Sequence, residues 1–305
     1  MVKVNLLVTE EIDFKYLSLF PAKKFKIVTF PEITNKELIK LSDNSDALLI
    51  KSSRIIDKNF IDKCGLKLIA TCSRGTDHID TGYAKKKGIT VLFSSGANCI
   101  STAEHTLALI MEIYKNIKYS DNLIRNGNFS DLNFERRELY GKKIGIIGIG
   151  KVGSYVAKLA GAFGMKIYAN DIAREVRKKN NRLNFRSLNF ILKNSDIITI
   201  HIPLNKNNFK FFSREKLNLL NGNSILINTS RGQVMDEKHL IKMLKNKGIK
   251  YAGLDVYWNE PDINKDFRGI NNVILTNHIA GKTVESKSKM AKDIISLIKN
   301  FYLKI

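Results

Sequence analysis

Between Lys142 and Asp171 the chain reads KKIGIIGIGKVGSYVAKLAGAFGMKIYAND, and its glycines and terminal acid are spaced to hold a dinucleotide. Gly148 permits a tight turn, Gly150 lets the backbone approach a pyrophosphate, and Gly153 lets a helix pack closely on a strand. Lys151 and Val152 open the helical pattern, where free N–H groups and the positive end of the helix dipole favour phosphate. Asp171 ends the second apolar run. A carboxylate there accepts from the ribose 2′-OH of NAD and repels the 2′-phosphate of NADP. Arg174, just beyond, softens that choice, and NAD is the expected cofactor.

Further polar clusters follow later apolar runs: His201-Ile202-Pro203-Leu204, Asn228-Thr229-Ser230-Arg231-Gly232, Asp255 to Pro261 (DVYWNEP), and His278-Ile279-Ala280-Gly281. Ligands of open parallel sheets bind at the carboxyl ends of the strands. That rule puts an arginine (Arg231), two carboxylates (Asp255, Glu260) and a histidine (His278) within reach of a nicotinamide. Earlier in the chain, Ser73-Arg74-Gly75-Thr76 follows the run LKLIATC, and its N–H groups suit a carboxylate. Lys51-Ser52-Ser53-Arg54 follows DALLIK and reads either as an anion subsite or as a solvated basic loop. His78, His105 and His239 have no partner nameable from the sequence and read as ordinary histidines.

The elements that must position these groups alternate. VKVNLLVT, FKIVTF, DALLIK, LKLIATCS and TVLFSS read as strands in the first hundred residues, with helical patterns such as NKELIKLSDN and YAKKKG between them. One long helix is expected from Ser101 to about Gly127, with Ser101 as N-cap and Glu104 completing a capping box. Residues 126–141 read as a loop. DIITIHIPL, SILINTS, YAGLDVY and NVILTNH are strand candidates after Asp171, and the last 22 residues read as one amphipathic helix. The fold class is doubly wound α/β with two parallel-sheet domains, one of them a Rossmann NAD-binding domain. Residues 1–95 and 283–305 are expected to form a substrate-binding domain, and 96–282 the NAD-binding domain. Two crossings between them imply a hinge and a closing cleft.

Composition limits the partners. The 305 residues are 44% apolar, enough for two packed domains. No apolar run approaches transmembrane length, and the first residues read as a strand rather than a signal peptide. Three cysteines (Cys64, Cys72, Cys99) without CxxC spacing argue against a disulfide framework or zinc site and for the reducing cytoplasm. The net charge of +22 is spread along the chain, and no nucleic-acid-binding motif accompanies it, so a lysine-rich surface is the simpler reading. Such a field also draws anionic substrates.

Taken in order, GTDHID (Gly75–Asp80), STAEHT, GIGKVG, HIPL, NTSRG, the D-to-E-P segment and HIAGKT resemble the D-isomer-specific 2-hydroxyacid dehydrogenase family over nearly the whole chain. The resemblance implies Arg231, Glu260 and His278 as the catalytic trio. It implies Asp255 near the nicotinamide ring, and His201, Pro203, Thr229 and Thr102 along the cofactor site. Thr102 reads equally as a first-turn packing residue. It also implies that the loops with Lys51, Ser52, Arg54, Arg74, Gly75 and Thr76 bind the substrate. The trio's chemistry is coherent: Arg231 grips a carboxylate through its planar fork, and His278 exchanges a proton with the C2 oxygen. Glu260 favours the imidazolium and fixes its tautomer.

The chain is most similar to the short D-3-phosphoglycerate dehydrogenases, so no appended regulatory domain is expected and 3-phosphohydroxypyruvate heads the substrates. Lys51, where an arginine is usual, departs from that pattern. A glyoxylate or hydroxypyruvate reductase is the nearest alternative. GTDHID is also similar to 4-phosphoerythronate dehydrogenase, whose C-terminal dimerisation region has no counterpart here. An NAD-sensing corepressor is an alternative of another class. A homodimer is expected, with Leu107, Ile110, Met111 and Tyr114 as either its face or core.

Overall fold

The computed structural model describes residues 3–9, 12, 14–51, 54–73, 75–130 and 135–303. They divide into two compact units. One comprises residues 1–98 and 282–305, the other residues 99–281.

The first unit carries five parallel strands: β1 (Val4–Val8), β2 (Phe25–Thr29), β3 (Ala47–Ile50), β4 (Leu68–Thr71) and β5 (Thr90–Phe93). Their order is β2-β1-β3-β4-β5. Every residue of β3 and β4 is buried, which is why these segments are continuous apolar runs rather than alternating ones. The helix Val284–Leu303 returns to this unit, and its Ile294, Ile295 and Ile298 join Leu6, Val8, Leu49 and Leu68 in one core. Tyr302 donates to the Asp46 carbonyl at 2.9 Å, and Ser94 to Asp293 at 3.1 Å, tying the end of the chain to its beginning.

The second unit is a seven-stranded parallel sheet. Its strands are β6 (Lys143–Ile147), β7 (Lys166–Asn170), β8 (Asn184–Phe185), β9 (Ile197–Ile200), β10 (Ile225–Asn228), β11 (Tyr251–Leu254) and β12 (Val273–Leu275), in the order β12-β11-β10-β9-β6-β7-β8. Counted from β6, that is the dinucleotide-fold order 3-2-1-4-5-6 with one strand added. The order reverses between β6 and β9, which opens a crevice at their carboxyl ends. β9 and β10 are buried throughout.

Two expectations need correction. The helix after the first unit begins at Cys99, so Ser101 lies inside it and does not cap it. Cys99 and Ala103 are both buried in the core, and burying Cys99 carries the helix two residues further back. The helix also stops at Lys115. Asn116 adopts φ +52°, a left-handed conformation that asparagine tolerates better than most residues, and a second helix runs over Ile117–Arg125. Leu107, Ile110 and Tyr114 are buried in the core with Met111 packed at its edge, so this face is core and not an interface. The described residues of 126–141 hold neither helix nor strand.

Candidate active site

The glycine turn joins β6 to the helix Lys151–Ala162. Gly148 has φ +92°, and a Cβ there would lie 2.8 Å from the His201 carbonyl oxygen. A Cβ on Gly153 would collide with the Gly148 carbonyl, whereas one on Gly150 would meet nothing within 4 Å. Gly148 and Gly153 are thus required by the fold, and Gly150 leaves open space before the helix N-terminus, where a pyrophosphate would approach. Lys151 is exposed. Val152 is buried.

Asp171 follows β7. Its Oδ2 accepts from the Ile149 N–H at 2.7 Å and its Oδ1 from the Ala173 N–H at 2.8 Å. These bonds fix the carboxylate on the glycine turn, and a carboxylate has lone pairs left for a ribose hydroxyl. Arg177 and Arg186 line the same shallow pocket as Asp171, with Phe185 and Phe190.

Across the switch point, His201 sits at the end of β9, buried, with Nε2 2.9 Å from Thr199 Oγ1. Pro203 is exposed and its carbonyl accepts from Asn208. Thr102, Thr106 and Thr229 form a buried chain. Thr106 Oγ1 donates to the Thr102 carbonyl at 2.8 Å, so at 3.0 Å it must accept from Thr229 Oγ1. Thr102 and Thr229 thereby tie the helix Cys99–Lys115 to the end of β10.

Arg231 is presented by a turn that Asn228 builds. The Asn228 Oδ1 accepts from the Ser230 N–H and hydroxyl, and its Nδ2 donates to the Arg231 carbonyl at 2.9 Å. Arg231 is half-buried and donates through one terminal nitrogen to the Ser230 carbonyl. The next residue must be glycine, because a Cβ on Gly232 would overlap the Tyr257 carbonyl group. The Arg231 turn therefore lies directly on the loop that bears Glu260.

That loop is clamped from both sides. The Trp258 N–H donates to Glu237 at 2.8 Å, and the Trp258 carbonyl accepts from Gln233 at 2.7 Å. Glu260 Oε1 accepts from the Tyr257 N–H at 3.0 Å, and Oε2 lies 2.6 Å from His278 Nδ1. Burial alone would raise the Glu260 carboxyl. The hydrogen bonds from His278 and Tyr257, with the charges of His278 and Arg231, outweigh it and hold the group below the usual carboxylate range. Glu260 thus stays ionised beside His278, which has φ +54°. Asp255 is fully buried and bonds Thr276, Ile279 and Ala280, the residues flanking His278.

Arg231, Glu260 and His278 are thus gathered at the carboxyl ends of β10, β11 and β12. In the first unit, Lys51 follows β3 and the Gly75–Thr76 segment follows β4, the neighbouring strand. Ser52 and Arg74 lie outside the described residues. Arg54 donates to Asn35 Oδ1 at 2.7 Å and to the Ile33 carbonyl at 2.9 Å, which engages both terminal nitrogens of its guanidinium. The histidines without apparent partners have them. His78 meets Thr71 at 3.1 Å, His239 meets Asn218 at 2.7 Å, and His105 meets Thr276 at 3.0 Å. No spacing in the sequence signals these pairs, nor the work of Asn228, Gln233 and Glu237.

The profile of the D-isomer specific 2-hydroxyacid dehydrogenase, NAD binding domain, matches residues 107–280, more than half of the chain. The chain belongs to this family. A Staphylococcus aureus (strain bovine RF122 / ET3-1) protein provisionally named a 2-hydroxyacid dehydrogenase is 38% identical over 260 residues, 84% of this chain and 82% of that one. The crystal structure of Aquifex aeolicus D-lactate dehydrogenase with NAD and lactic acid aligns at TM-score 0.86 and 28% identity, over 98% of this chain and 96% of that one. An acyclic imino acid reductase (Bsp5) in complex with NADPH and D-arginine aligns at TM-score 0.87 and 28% identity, over 99% and 98%. The chain is accordingly an NAD-dependent D-2-hydroxyacid dehydrogenase by family, and its residues are compatible with the cofactor: a Cβ on Gly150 would meet nothing within 4 Å, and the Asp171 carboxylate is bonded to the glycine turn at the Ile149 N–H.

Proposed function

We propose that the chain reduces a small 2-oxo acid to the D-2-hydroxy acid, and the reverse, with Arg231, Glu260 and His278 as the catalytic groups. The observation that carries this reading is the 2.6 Å pair of Glu260 Oε2 and His278 Nδ1 on the loop against which the Arg231 turn packs. Glu260 accepts a hydrogen bond from Nδ1–H, so the opposite nitrogen, Nε2, is the one that exchanges a proton with substrate. The Arg231 guanidinium holds the substrate carboxylate and the C2 oxygen. The cofactor, when bound, supplies or accepts the hydride at C2. As negative charge builds on the oxygen, Nε2 gives up its proton. In the reverse direction neutral Nε2 takes the hydroxyl proton while Glu260 keeps Nδ1–H in place.

Lys51, Ser52, Arg74, Gly75 and Thr76, which the resemblance to the family marks as substrate-binding, are the further substrate residues of this reading. Phosphoglycerate chemistry would need a phosphate subsite at Lys51 and Arg54. Arg54 is held by Asn35 and Ile33, which leaves Lys51 as a point charge without a fork. An unphosphorylated acid such as hydroxypyruvate or glyoxylate therefore ranks above 3-phosphohydroxypyruvate. NADH oxidation with hydroxypyruvate and 3-phosphohydroxypyruvate side by side tests this. Preference for the phosphorylated acid restores the phosphoglycerate assignment, and turnover of neither overturns the substrate class. NAD is preferred to NADP because a carboxylate at the end of β7, Asp171, would repel a 2′-phosphate. No helix among the described residues is long and apolar enough to cross a membrane. The three free cysteines support a cytoplasmic setting. A homodimer fits the helix Ile117–Arg125, which buries none of its residues and exposes Ile117, Tyr119 and Ile124. Light scattering on the purified chain checks it.

A further inference from the structure

His278 stands in a left-handed conformation that a side chain larger than glycine rarely adopts. It is held there by the two amides that follow it. The Ile279 N–H donates to Asp255 Oδ1 at 2.8 Å, and the Ala280 N–H to Asp255 Oδ2 at 2.9 Å. Asp255 is wholly buried, so these bonds last only while its carboxylate is fully served by donors. A third donor is Thr276, whose hydroxyl lies 2.6 Å from Oδ1. A hydroxyl has one proton, and at that length it goes to the carboxylate. Thr276 Oγ1 can then only accept from His105 Nε2, 3.0 Å away, and the same nitrogen is 3.5 Å from Asp255 Oδ1. Nε2 must therefore carry a hydrogen. His105 reaches this network from the helix Cys99–Lys115, far from the catalytic loop in sequence.

We infer that His105 is a positioning residue for His278, acting through Thr276 and Asp255. It orients the Thr276 hydroxyl toward the buried carboxylate, and the carboxylate fixes the backbone that aims His278 at Glu260. The inference rests on His278 being the acid–base group.

The test compares His105→Gln, which keeps an N–H donor of similar reach, with His105→Leu, which removes it. Two readouts are taken: hydrogen exchange of the Ile279 and Ala280 amides in the protein without cofactor, and steady-state reduction of hydroxypyruvate. In His105→Leu those two amides should exchange at least tenfold faster relative to amides of β11 and β12. kcat should fall about tenfold with KM for NADH within twofold, and His105→Gln should recover most of both. Thr276→Val against Thr276→Ser repeats the comparison one step nearer the carboxylate. Unchanged exchange at Ile279 and Ala280 in His105→Leu and Thr276→Val overturns the inference, as does exchange raised equally throughout the unit. Faster local exchange with unchanged kcat would support the mechanical link and overturn the assignment of His278 as the acid–base group.

Discussion

Replacing Glu260 by glutamine removes the charge and, with the amide oxygen kept on the Tyr257 N–H, turns an NH2 donor toward His278 Nδ1–H. The amide oxygen can still accept from the Tyr257 N–H, as Oε1 does at 3.0 Å. What is lost is the anion 2.6 Å from His278 Nδ1. Charge centres about 4 Å apart interact by about 1 kcal/mol in water and about 4 kcal/mol near a protein surface. The two side chains are 34% and 43% exposed, so screening favours the lower part of that range. At about 1.4 kcal/mol per factor of ten in rate, losing that stabilisation of the imidazolium should lower kcat/KM about tenfold in Glu260→Gln.

The direction follows from the reaction. Reduction of the 2-oxo acid draws on the imidazolium that Glu260 stabilises, so its kcat/KM should fall. Oxidation of the hydroxy acid builds the same imidazolium in its transition state, so it should fall as well. Initial rates across about pH 5–10 in both directions would measure this. A variant within about twofold of the parent in both directions would refute the pairing. Glu260 itself is held below the ordinary carboxylate range. Its stabilising charge is present above that range and is lost only as pH falls through the lowered value, so no loss of fold is expected near neutrality.

Arg231→Ala should lower kcat/KM for hydroxypyruvate by about a hundredfold or more, the loss of two charge-assisted hydrogen bonds, with NADH binding nearly intact by Trp258 fluorescence. A variant within tenfold of the parent would remove Arg231 from the mechanism. Gly150→Ala and Gly153→Ala should separate binding from folding. The first adds a methyl into open space, so melting should be unchanged while NADH affinity falls at least tenfold, about 1.4 kcal/mol. The second collides with the Gly148 carbonyl and should lower the melting temperature itself. Asp171→Asn should narrow the preference for NADH over NADPH by about tenfold, read as the ratio of kcat/KM values. An unchanged ratio would move discrimination to Arg177 and Arg186.

The dinucleotide half of the molecule was legible because its residues obey local rules. Gly148 needs its positive φ, Gly153 cannot carry a Cβ, and β9 and β10 are buried on both faces and so read as unbroken apolar runs. Arg231, Glu260 and His278 were legible because ligands gather at strand ends, which a topology of this kind makes visible from order alone. Less legible were features set by contacts across the fold. Ser101 is well suited to cap a helix, yet burial of Cys99 and Ala103 outweighs one capping hydrogen bond. β8 is two residues long and has no pattern to read.

The supporting groups around the trio were invisible for a different reason. Gln233, Glu237, His105 and Thr276 each act through one hydrogen bond to a loop that is distant in sequence, Asn228 acts on the turn just after it, and such bonds leave no periodicity. Their bonds converge on backbone: Asn228 on the Arg231 carbonyl, Gln233 and Glu237 on Trp258, and Asp255 on Ile279 and Ala280. The proposed catalytic side chains are thus positioned by fixing the peptide units that carry them, not by packing the side chains. Packing would desolvate Arg231 and His278 and block the substrate. Backbone anchoring leaves the imidazole 43% exposed and Arg231 half-buried while the loops beneath them stay fixed. A substitution among these supports should therefore cost turnover before it costs cofactor binding, the reverse of a substitution in the glycine turn.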